Sequence, residues 1–177
     1  MNTKTREMAI IAVMAALLCV AGPLSIAVGP IPLSLATFVV YLAGAVLGAK
    51  RGALAVAVYL LVGMVGVPVF SGFTGGFQKL AGVTGGYLIG YLACAWITGL
   101  AVRGDGAEPT PGWKLPAFMV AGTAALYAVG TAWFMLQTKN GLAAALMLCV
   151  VPFLAGDAVK IIAASLLARS IRRAVWR

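Results

Sequence analysis

The stretch Pro152-Phe153-Leu154-Ala155-Gly156-Asp157-Ala158-Val159-Lys160-Ile161-Ile162-Ala163-Ala164-Ser165-Leu166-Leu167 sets one acid and one base in an otherwise apolar run. Read as a membrane helix, it carries Asp157 and Lys160 at i and i+3, on one face. Proline is tolerated in the first turn of a helix and disfavoured in its interior. The reading therefore starts a span near Pro152, running to about Arg173, and splits off a short helix from Leu142 to Cys149. That split places both charges in the first two turns of the span. A charge at membrane depth costs a few kcal/mol or more unless it is paired or faces a polar cavity. Such a helix cannot stand alone in lipid, so the chain must supply a bundle around it.

The rest of the chain is suited to that. Of 177 residues, 63% are hydrophobic and 10% are charged, and the mean hydropathy is +1.05. Soluble domains carry roughly twice as many charges. Breaks of Gly, Pro and charge divide the sequence into further spans at about Met8–Ala27, Leu33–Ala49, Ala53–Phe70, Thr84–Val102 and Leu115–Leu136. The expected fold is all-α: a polytopic bundle of six transmembrane helices forming one domain over 1–177. The segment from Arg103 to Lys114, with Asp105, Glu108, Pro109 and Pro111, is its only polar linker. Lys4 and Arg6 before the first apolar run look signal-like. Everything downstream is also apolar, so that run is read as a retained helix.

The net charge is +9. Its basic residues sit singly between apolar runs and form no face, which excludes nucleic-acid binding. They report orientation instead. With the N-terminus inside, Lys4, Arg6, Lys50, Arg51, Arg103, Lys114, Arg169, Arg172, Arg173 and Arg177 fall on the inner side. Only Lys79 and Lys139 fall outside. The positive-inside bias makes both termini cytoplasmic.

Enzymatic chemistry is not encoded in any pattern of this sequence. There is no His, and Cys19, Cys94 and Cys149 all lie in apolar stretches, which argues against a zinc site and a disulfide framework. No phosphate-binding loop is present: Gly44 to Arg51 has the wrong spacing and no Ser or Thr. No metal or cofactor is expected. Asp157 and Lys160 are the candidate site. A structural ion pair is the alternative. Buried pairs are seldom more stabilising than apolar replacements, so this one suggests a small polar solute bearing N–H and C=O or carboxylate groups. Tyr87 and Tyr91, four apart, offer flat apolar faces with hydroxyls; pocket lining and packing are both open to them. The Pro/Gly-rich segments Gly29–Pro32 and Ser71–Gly76 are candidate lids. Small residues four apart, at Gly44, Gly48 and Gly52, at Gly82, Gly86 and Gly90, and at Ala12 and Ala16, suit close helix packing.

Three blocks in order give the chain a family likeness. They are Gly29-Pro30-Ile31-Pro32-Leu33-Ser34-Leu35-Ala36-Thr37-Phe38 with Leu47-Gly48-Ala49-Lys50-Arg51-Gly52-Ala53; Gly66-Val67-Pro68-Val69-Phe70 with Gly75-Gly76 and Gly82-Val83-Thr84-Gly85-Gly86-Tyr87-Leu88-Ile89-Gly90; and Pro152 to Lys160. Together they resemble the BioY family, the biotin-specific substrate-capture (S) components of energy-coupling-factor vitamin transporters. The resemblance implies a multi-pass protein of a prokaryotic cell membrane that captures biotin from outside. It implies as partners a transmembrane coupling subunit and two ATPase subunits. By the same likeness Asp157, Lys160, Tyr87, Thr37 and Gly86 are substrate-binding residues, and Ala12 and Ala16 a docking surface. Many relatives have Gln where Ala36 stands and Pro where Val83 and Ala155 stand, which puts the first loop's share of binding in doubt. The remaining alternative is a stand-alone biotin facilitator or a proton-coupled small-solute carrier.

Overall fold

The computed structural model describes residues 3–28, 31–102 and 111–176. Its elements run α1 (Thr3–Ala21), β1 (Ser25–Val28), β2 (Ile31–Ser34), α2 (Ala36–Leu47), α3 (Ala49–Met64), α4 (Phe77–Ala81), α5 (Gly85–Gly99), α6 (Lys114–Thr138), α7 (Leu142–Cys149) and α8 (Val151–Val175). The short α7 and the start of α8 agree with the expected split, and Pro152 occupies the first turn of α8.

The first span departs from expectation. Its helix stops at Ala21, not near Ala27. Pro23 accounts for this, because proline disfavours helical geometry in the residue before it. The chain then turns back as a two-stranded antiparallel hairpin, Ser25 opposite Ser34 and Ile26 opposite Leu33. The bond from Leu35 N–H to Leu24 O (3.0 Å) extends that ladder. The expected Gly29-Pro30 turn, most of the 103–114 linker and Arg177 lie outside the described residues. The third span also ends early, at Met64. The loop after it is pinned by Phe70, which is fully buried, meets the Tyr59 ring edge-on at 5.5 Å and leaves no space for a side chain at Gly63.

The small-residue spacing resolves into separate contacts. Gly48 is not inside a helix: with φ at +80° it forms the break between α2 and α3. Gly44 faces α5, where an added Cβ would lie 2.5 Å from Ala95 O. Gly82 closes α4, whereas Gly86 and Gly90 face α6 across from Trp133 and Leu126. Gly44→Ala therefore forces α2 and α5 apart and is expected to cost about 1–3 kcal/mol, the usual penalty for overpacking. Thermal unfolding in detergent measures it. Gly141→Ala, where a Cβ meets nothing within 4 Å, is the control and leaves the melting temperature unchanged.

Polar contacts at one end of the bundle hold both chain ends together. Arg51 pairs with Glu7 at 2.6 Å and lies over the Trp176 ring. Arg6 donates to Val175 O. Arg172 and Trp176 donate to Val46 O, at the last turn of α2. The outside of the bundle is apolar: Val13, Val20, Leu61, Val120, Val159, Ile162 and Leu166 are all exposed. An apolar surface of that extent belongs in lipid rather than water. By length and composition, α6 and α8 are each able to cross a bilayer, and α2 is a shorter apolar helix.

Candidate functional site

At the opposite end, α8 begins beside the hairpin. This brings the sequence-predicted pair into one network. Lys160 Nζ donates to Asp157 Oδ1 (3.1 Å), to Thr37 Oγ1 (2.7 Å) and to Ser34 O (2.8 Å). An ammonium has three donors, so all are committed within the protein. The side chains of Asp157 and Lys160 are 6% and 11% exposed, so the pair is nearly enclosed, beside the cavity that both residues line.

Local sequence explains how the acceptors are placed. Ser34 ends β2, and its Oγ accepts from the Ala36 N–H (3.1 Å) where α2 starts. Its carbonyl also receives the Thr37 hydroxyl at 3.4 Å. The hairpin end and first turn of α2 thus form a fixed cup for the ammonium. On the other side, Tyr127 of α6 donates its hydroxyl to Asp157 Oδ2 at 2.5 Å. A carboxylate has about four acceptor positions. Two are used here, so Asp157 retains acceptor capacity while Lys160 has no donor left.

The cavity, small (about 40 Å³) and partly open, is lined by Ile31 to Ser34, Thr37, Tyr87, Tyr91, Leu126, Tyr127, Cys149, Phe153, Asp157 and Lys160. Its walls are chiefly aromatic and aliphatic, with charges at one end only. That combination suits a small molecule with an apolar body and a few directional polar groups. Tyr87 is held by Thr131 (hydroxyl oxygens 3.0 Å apart) and donates to Cys149 O at 3.5 Å. Its ring is thereby locked against α6 and α7.

Four of the expected binding residues, Asp157, Lys160, Thr37 and Tyr87, meet around this cavity. Gly86 does not line it. It sits where α5 touches α6, and a Cβ there would collide with the Trp133 side chain. Of the candidate lids, Ile31 and Pro32 reach the cavity, and Ser71 lines a neighbouring recess. Ala12 and Ala16 are exposed on the outer face of α1, away from the cavity. Tyr127 and the Ser34 carbonyl were missed. A tyrosine in the middle of a span rather than in an interfacial belt was the available signal for Tyr127. A backbone carbonyl gives none. Among the described residues no group of His, Cys, Asp and Glu is placed to hold a metal.

The chain is similar to several known proteins. A 169-residue alignment with the probable biotin transporter BioY of Pyrococcus horikoshii is 36% identical and covers 96% of this chain and 98% of the relative. The biotin transporter BioY of Thermotoga maritima is 39% identical over 162 residues, covering 91% and 92%. The fold matches a crystal structure of the S-component for biotin from an ECF-type ABC transporter, with TM-score 0.86, 24% identity and coverage of 99% and 98%. The BioY family model matches residues 1–177. With that match across its whole length, the chain belongs to the BioY family.

Proposed function

We propose that this chain is the biotin-binding membrane subunit of an ECF-type transporter, capturing biotin at the cavity beside Asp157 and Lys160. The observation that carries this reading is the buried Asp157–Lys160 pair lining an aromatic cavity, inside a lipid-facing bundle. Biotin offers ureido N–H donors, an apolar ring body and an acidic tail. The unused acceptor positions of Asp157 suit a ureido N–H, and Tyr87, Tyr91 and Phe153 suit the ring. Thr37 acts through Lys160, which it holds in place.

In this reading α1, α2, α3, α5, α6 and α8 are the six crossings. The hairpin and the loop after α3 supply the thickness that the shorter helices lack. The end rich in Arg and Lys, including Arg6, Arg51 and Arg172, faces the cytoplasm by the positive-inside rule, and the cavity faces outward. The relatives' names place such subunits in transporters. The exposed Ala12 and Ala16 on α1 are a surface against which a coupling subunit's helix packs closely. Hydrolysis of ATP belongs to partner ATPases.

Isothermal titration of the purified chain in detergent tests the first claim: saturable one-to-one binding of biotin is expected. No binding overturns it. Ala12→Leu with Ala16→Leu is expected to abolish co-purification with the coupling and ATPase subunits while leaving biotin titration intact. Retained co-purification removes α1 from the interface.

A further inference from the structure

Tyr87 and Tyr91 line more than this one cavity. A second recess shares Ile31, Pro32, Tyr87 and Tyr91 with it as a common wall. Its remaining lining includes Ser71, Thr84 and Lys79. Lys79 lies on α4, a short helix with no buried residue, and is itself half-buried. Among the described residues its ammonium has neither an ion-pair partner nor a hydrogen-bond acceptor.

The two adjoining recesses are complementary. At the Asp157 end there is spare acceptor capacity and a lysine whose donors are all committed. At the Lys79 end there is a lysine with its donors uncommitted and no acid. A ligand with N–H donors at one end and a carboxylate at the other matches that polarity in one orientation only. We propose that Lys79 is the carboxylate-recognising residue of the site, with the hydroxyls of Ser71 and Thr84 available as further donors. The proposal rests on the biotin reading and deepens it. The ureido ring lies at Asp157, the chain of the acid runs along Tyr87 and Tyr91 toward Lys79, and Lys160 orders the Asp157 end without touching the carboxylate.

The test compares biotin with biotinamide, in which a neutral carboxamide replaces the carboxylate, by titration in a neutral detergent. Wild type is expected to bind biotin about tenfold or more tightly than the amide, the span of one charge-assisted hydrogen bond. Lys79→Met erases that preference by weakening biotin alone and leaves the amide within about twofold. Lys79→Arg retains it. Equal weakening of both ligands by Lys79→Met, or a preference that survives it, overturns the subsite. So does a wild type that binds both ligands equally. A wild type that binds neither overturns the biotin reading itself, and the subsite with it.

Discussion

Asp157→Asn lowers biotin affinity by at least tenfold and leaves a folded protein. The substitution keeps the size of the side chain and one carbonyl acceptor. It removes the negative charge and replaces one oxygen with a donor. In the native network both carboxylate oxygens already accept, from Lys160 Nζ at 3.1 Å and from the Tyr127 hydroxyl at 2.5 Å. The amide must turn its NH₂ toward one of those donors or toward the cavity, and toward the cavity it opposes a ureido N–H. A hydrogen bond to a charged group contributes about 1.5–3 kcal/mol, which is roughly a tenfold to hundredfold change in Kd. Lys160 retains Ser34 O and Thr37 Oγ1, so the ammonium is still held and unfolding stays cooperative. Titration with biotin and a thermal melt of the same sample check both halves. Unchanged affinity with an unchanged melt removes Asp157 from the site.

The parts of this site that could be read in advance are those set by helix geometry. Asp157 and Lys160 are three apart, and Pro152 fixes where their helix begins, so their shared face follows from the sequence. Their partners come from elsewhere in the chain. Thr37 and Ser34 reach Lys160 only because the chain folds back after Pro23 into a hairpin. That hairpin is invisible to periodicity, since Ser25–Val28 is too short to distinguish a strand from the end of an apolar helix. Gly48 misled for a related reason. Its spacing from Gly44 and Gly52 is that of a helix face, yet its positive φ makes it a junction. Gly86 stands in one of the blocks that carry the family resemblance, and in the structure it packs against Trp133, where a Cβ would collide. Residue type and spacing give a helix's own face; which neighbour that face meets is settled by packing.

Lys160→Met destabilises the protein more than Gly44→Ala does, and a second substitution restores what it removes. Methionine fills the volume of the stem but takes the ammonium from Thr37 Oγ1 and Asp157 Oδ1 and leaves Ser34 O only the longer bond from the Thr37 hydroxyl. The Asp157 acceptor is a carboxylate on a side chain only 6% exposed. Breaking a buried pair in this way costs about 3–5 kcal/mol, because one charge remains without its partner. It also cuts the side-chain tie that joins the hairpin end and α2 to the first turns of α8. A large fall in melting temperature is expected. Adding Asp157→Asn to Lys160→Met removes the stranded charge and returns most of that stability, since neutral replacements of buried pairs are often well tolerated. Biotin binding does not return with it, because the acceptor for the ureido N–H is gone. The double variant thus separates two demands that coincide in the native pair: charge balance inside an apolar bundle, met by either the pair or its neutral replacement, and recognition of a donor-bearing ligand, met only by the carboxylate. A single variant as stable as wild type would show that the ammonium is not what neutralises Asp157, and a double variant that binds biotin normally would show that the pair serves the fold alone.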